Sequence, residues 1–138
     1  MNTILTPALA LCVWTFVLLF WLFATRMPAM KKARINVHRL KRKHELEVLP
    51  VAAQQVADNY NHLHEQPTLF YALVFYSHLV GVADTSNILL AWLYVFFRVI
   101  HSLIQCTNNY VPLRFMVFVA ASIVLMIICA RNVLALMV

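Results

Sequence analysis

The chain has 138 residues, 63% hydrophobic and 12% charged, with a formal net charge of +6 and a single glycine; its mean hydropathy is +0.77. A soluble domain of this length leaves too much area facing water to hide so much apolar content, so lipid is the solvent it is built for. One glycine and no period-two alternation exclude a transmembrane barrel, leaving helices whose backbone groups are satisfied within each span.

The first apolar stretch, Ile4 to Ala24, approaches the roughly 20 residues that cross a bilayer. No lysine or arginine precedes it and its apolar run is too long for a signal peptide, so it reads as a retained anchor. Pro7 near its start and Pro28 just past its end are positions where a missing N–H is harmless. Residues 26–49 then form a basic loop holding Arg26, Lys31, Lys32, Arg34, Arg39, Lys41, Arg42 and Lys43, eight of the eleven basic residues. The connection from Val82 to Asn87 has none, and carries Asp84. By the positive-inside rule the first loop is cytoplasmic and both termini lie outside. Membrane topology and attraction to anionic lipid headgroups account for the basic run without nucleic acid.

Pro50 opens a helical pattern that continues through VAAQQVADNYNHLHEQ into the second span, predicting one long helix over about 51–82 whose apolar part is Pro67 to Val82. Pro67 falls inside it and cannot donate to the carbonyl of Leu63, so a bend or a free acceptor is expected there. The third span is predicted over about 87–105, apolar from Ile88, and the fourth over about 113–137, after Pro112. The expected architecture is an all-α membrane protein, a four-transmembrane-helix bundle in a single domain.

Two polar constellations interrupt this pattern. At about 3.6 residues per turn, Arg98, His101, Ser102 and Gln105 share one face of the third span, while Val99, Leu103 and Ile104 look elsewhere. Asp58, Asn61, His62 and Glu65 are spaced to share a face before the second span, and topology brings both sets to one level with Arg114. Arg98 lies roughly 12 Å along the helix from the third loop, too deep to snorkel, and unpaired it costs about 2.5–3.5 kcal/mol or more. Glu65 is its best candidate partner. Either the two form an internal ion pair that fixes helix registration, or the stripe lines a water-accessible pocket for an anionic ligand whose carboxylates arginine grips bidentately.

The remaining residues read more plainly. Cys12, Cys106 and Cys129 have neither disulfide nor metal spacing and are expected as small core residues. His62 and His64 are two apart, on different helix sides, so no metal site is expected. His38 and His44 read as solvated and His78 as interfacial or a core hydrogen-bonder. Trp14, Trp21, Trp92 and Tyr94 read as packing or lipid-facing groups. Intramembrane Arg, His and Glu also suit a proton-coupled carrier, but the outer halves of the spans read as almost wholly apolar, without a continuous path.

The pattern R-x-x-H-[ST] with an arginine sixteen residues after the first is carried by Arg98, His101, Ser102 and Arg114, and NHLHEQPTLFYAL ends a polar helix on Glu65 before an apolar run. With four spans, a basic first loop and this length, nearly the whole chain resembles the membrane-associated proteins in eicosanoid and glutathione metabolism, the MAPEG family. The resemblance implies a bacterial-type member of the inner (cell) membrane, a homotrimer with glutathione bound between subunits, and a lipophilic substrate arriving from the bilayer. The implied activity is a glutathione S-transferase or peroxidase. By position, Glu65, Arg98, His101 and Arg114 would line the glutathione pocket, with Asn61, His62 and Ser102 beside them.

Thiol chemistry requires a thiolate, and a thiol with a pKa of about 8.5 is mostly protonated at neutral pH. Arg114 and Gln105 are the candidates for stabilising it. Three positions depart from the family pattern: Gln105 stands where tyrosine is frequent, Phe115 where some members carry serine, and His62 where asparagine is usual. The alternative reading is therefore a non-catalytic lipid- or small-molecule-binding membrane protein of the same fold.

Overall fold

A computed structural model describes residues 3–138. They form five α-helices, α1 Leu5–Lys32, α2 Val51–His62, α3 Gln66–Leu79, α4 Thr85–Cys106 and α5 Val111–Leu136, with short 3-10 turns at Val37–Arg39 and Lys43–Leu46. No strand occurs among the described residues. Three helices, α1, α4 and α5, are long and apolar enough to cross a membrane. Their outward faces carry Phe16, Phe20, Phe96, Met116, Ile123 and Met126 exposed, a surface that only lipid solvates cheaply.

Three helices end by the same device. A residue with positive φ follows each one: Arg34 (φ 53°), Gly81 (φ 75°) and Asn109 (φ 49°) after α1, α3 and α4. The next amide, or its own, then reaches back five residues, as in Ile35 N–H to Met30 O, Val82 N–H to Ser77 O and Asn109 N–H to Ile104 O. These bonds satisfy carbonyls that the helix end would otherwise leave bare. The sole glycine thus sits where left-handed backbone is needed. At the other end of α4, Asp84 accepts from the Asn87 amide at 2.8 Å as a side-chain N-cap.

Two expectations about proline are corrected. Helix α1 does not stop before Pro28 but runs through it to Lys32, so the start of the basic segment is helical. Pro28 is exposed, its missing N–H frees one carbonyl near solvent, and Met30 is buried one half-turn later, which holds the continued turn in place. Conversely, the predicted helix over 51–82 is not one helix. It breaks after His62, Glu65 leaves helical geometry (φ −94°, ψ −97°), and Pro67 becomes a first-turn residue of α3. A proline interior to a helix costs about 3 kcal/mol, whereas in a first turn it costs little; a restart is the cheaper solution. In consequence α3 has only 14 residues.

The interior is organised by α4. Its buried residues Ala91, Tyr94, Val95, Arg98, His101, Ser102 and Gln105 form a stripe at helical spacing. Apolar packing fills its middle, where Phe70 and Tyr94 are fully buried with ring centroids 4.5 Å apart and nearly parallel.

The end of the bundle away from the basic segment is more polar than expected. Buried Ser77 donates to Asn132 Oδ1 at 2.9 Å, Arg131 donates to Asn87 Oδ1 at 2.7 Å, and Arg131 pairs with Asp84 at 2.5 Å. These bonds tie α3 and the start of α4 to the end of α5. Of the cysteines, Cys106 is buried and Cys12 half-buried, but Cys129 is exposed on α5 and is not a core residue.

Candidate functional site

At the end of the bundle where α2 breaks and α4 meets α5, a half-open cleft of about 300 Å³ is lined by His62, Glu65 and Gln66, by Arg98 and His101, and by Val111, Arg114, Phe115 and Phe118. Glu65, Arg98, His101, Arg114 and His62 therefore converge, as their spacing led one to expect. The break in the helix is what opens the space. In an unbroken helix the His62 carbonyl would accept from the Gln66 amide; here it accepts from Glu65 N–H at 3.2 Å and from Arg98 Nη2 at 3.4 Å.

Arg98 is 1% exposed, and its Nε has no hydrogen-bond partner. Glu65 lines the same cleft but is exposed and does not pair with it: among the described residues the ion pair within 4 Å is Asp84–Arg131. The internal Glu65–Arg98 pair is thus replaced by a buried guanidinium facing a cleft with donors to spare. His101 adds a second unpartnered buried atom, Nδ1, with its ring 6.3 Å from those of His62 and Phe118. Arg114, half-buried, is held by Nη1 donation to Asn109 Oδ1 at 2.6 Å, which leaves its other N–H groups for a ligand.

Other predicted residues lie elsewhere. Asn61 does not share the cleft with His62 because neighbouring residues on a helix point about 100° apart, and Asp58 lies about 6 Å back along α2, one turn before His62. Asn61 and Asp58 line separate cavities against the basic segment. Ser102 is fully buried behind the cleft and its hydroxyl has no partner. Gln105 is also buried and bonds through Oε1 to His62 Nδ1 at 3.2 Å, so it orients His62 rather than lining the cavity.

Gln66 was not picked out by sequence reasoning, yet it joins three helices. It donates through Nε2 to Ser122 Oγ at 2.7 Å and accepts from the Tyr94 hydroxyl at 3.3 Å. The available signal was an amide directly before Pro67, at the start of an apolar run. Val111 and Phe118 were missed as well. With Phe115 they add apolar lining from α5 to a cleft that also holds Arg98, His101 and Arg114, a composition suited to a charged ligand beside a lipophilic one. No cluster of three or more metal-ligating side chains occurs among the described residues.

No curated protein and no solved structure matches the chain. The MAPEG family model matches residues 4–134, nearly its whole length. With all-helical architecture and three apolar helices long enough to span a bilayer, the chain is an integral membrane protein and belongs to the MAPEG family.

Proposed function

We propose that this protein binds glutathione in the cleft between α2, α3, α4 and α5 and presents its thiol to lipophilic electrophiles as a transferase or peroxidase. The observation that carries the reading is Arg98: a buried guanidinium without a carboxylate partner, lining a cleft of about 300 Å³ beside Arg114, His101 and the exposed carboxylate of Glu65. Glutathione offers two carboxylates for the arginines and an ammonium for Glu65. Val111, Phe115 and Phe118, exposed on α5 and lining the cleft, would meet the lipophilic second substrate. In this reading α3 completes a fourth crossing, the basic segment faces the cytoplasm, and the protein resides in a bacterial inner membrane.

Calorimetric titration of the detergent-solubilised protein with glutathione and with S-methylglutathione tests this directly. Both should bind with dissociation constants between about 1 μM and 1 mM, the range for a small polar ligand fixed by a few charged contacts. Absence of heat with both ligands rejects the reading.

The cleft is open on one side, and we propose that a neighbouring subunit closes it in a homotrimer. Light scattering in mild detergent should give three times the chain mass plus bound detergent; a monomer that still binds glutathione would reject the trimer and leave the site.

A specific observation keeps a second reading alive. Gln105 spends its carbonyl on His62 and Phe115 presents no hydroxyl, so a non-catalytic lipid- or small-molecule-binding role needs only the cleft and not thiol activation. A carrier function is disfavoured because Phe70, Val74, Ala91, Leu125 and Ile128, all buried and apolar, fill the interior between the cleft and the polar end opposite it.

A further inference from the structure

We propose that the joint between α1, the basic segment and α2 is a second anion site, built for the phosphate of an anionic membrane lipid. Two cavities of about 350 and 440 Å³ meet there and share Arg26, Lys43, Leu46 and Ala57 in their walls. Lys41 and Arg42 line the larger one together with Leu22 and Leu40. None of these residues lines the glutathione cleft, so the two proposals stand or fall separately.

Three features distinguish this joint from a diffuse basic surface. First, Arg26 is half-buried, and neither Asp58 nor Glu47, which share the smaller cavity with it, comes within 4 Å to form an ion pair. Among the described residues no cation of this joint is held in an ion pair within 4 Å. Second, the walls are tied down: Gln54 Nε2 donates to the carbonyls of Glu47 and Leu49 at 2.8 and 2.6 Å, fastening the end of the basic segment to the first turn of α2. Third, depth selects the ligand. From Leu5 to Arg26 is about 32 Å of helix, close to the hydrocarbon thickness of about 30 Å, which puts the guanidinium at headgroup level.

Phe23 and Met27, exposed on α1 beside Arg26, offer acyl chains a surface there, and Leu22 and Leu40 add apolar lining to the larger cavity. A phosphate presents several oxygens to converging arginine and lysine donors, and only a lipid brings the chain that the apolar part accommodates.

The full chain is compared in detergent supplemented with phosphatidylglycerol, with phosphatidylcholine, or with inorganic phosphate, reading bound lipid by native mass spectrometry and thermal unfolding in parallel. Phosphatidylglycerol should bind and raise the unfolding temperature above that in phosphatidylcholine. In the Arg26→Gln/Lys43→Gln double variant its affinity should fall about 25-fold, at about fivefold for each basic side chain lost near a headgroup. The Lys31→Gln/Lys32→Gln variant, altered at exposed residues that line neither cavity, should keep it. Comparing each variant with itself in two lipids removes any change in basal stability. Equal binding of both lipids, or an equal loss in both double variants, overturns the site. Stabilisation by inorganic phosphate that matches the lipid overturns the lipid as its source.

Discussion

Arg98→Leu should remove most of the protection by glutathione while leaving the unliganded protein at least as stable as wild type. Removing one partner of a buried ion pair typically costs 3–5 kcal/mol because the other charge is stranded. Here nothing is stranded: no carboxylate lies within 4 Å of Arg98, and its hydrogen bond to protein is a long one to the His62 carbonyl. Leucine relieves a desolvated cation and fills most of the same space.

The ligand loses a charge-assisted contact worth about 2–5 kcal/mol, hence at least about 30-fold in affinity. At glutathione one hundred times the wild-type dissociation constant, stabilisation of about 2.7 kcal/mol should drop below about 1 kcal/mol. Thermal unfolding with and without glutathione reads both quantities. If unliganded Arg98→Leu instead loses several kcal/mol and Glu65→Gln restores them, the pair is structural and the cleft is not the site.

That experiment turns on something the sequence could not supply. Hydropathy located α4, α5 and the start of α1 to within two residues, because long apolar runs leave little choice of structure in lipid, although α1 runs eight residues past its predicted end at Ala24; helical spacing put Arg98, His101, Ser102 and Gln105 on the buried face of α4. What spacing could not decide was partnership. Glu65 was the best candidate partner of Arg98 because, in the predicted register, it was the only acid close to the bilayer on an adjoining helix. The register assumed a helix that bends at Pro67, whereas the chain stops at His62 and starts again at Gln66, which turns Glu65 outward.

The same break separated Asn61 from Glu65. The clamp at the opposite end of the bundle was illegible for another reason: Asp84, Asn87 and Arg131 are scattered single polar residues, and only the packing of α5 on α4 brings Arg131 onto the other two. Gln66 joins Tyr94 and Ser122 across similar separations.

Whether the cleft activates a thiol should appear as a pH dependence of binding. Arg114 lines the cleft with its guanidinium anchored on Asn109, and a guanidinium beside the bound sulfur lowers the thiol pKa below its free value of about 8.5. Bound glutathione then holds its proton less tightly than free glutathione does. Affinity must therefore rise with pH from the lowered value up to about 8.5 and level off above it, where the free thiol is ionised too. A lowering of about two units corresponds to a hundredfold gain across that window.

S-methylglutathione carries the same carboxylates and ammonium but no titratable thiol, so its affinity should stay flat where that of glutathione climbs. Taking the ratio of the two cancels every shared group and every protein group that acts alike on both. Arg114→Leu should flatten the ratio while leaving S-methylglutathione bound, because Arg98 remains. Calorimetric titrations across this pH range, repeated in buffers of different ionisation enthalpy, also count the proton released. Parallel profiles for the two ligands in the wild-type protein would show that the cleft binds the tripeptide without activating it, and would leave the non-catalytic reading in possession of the site.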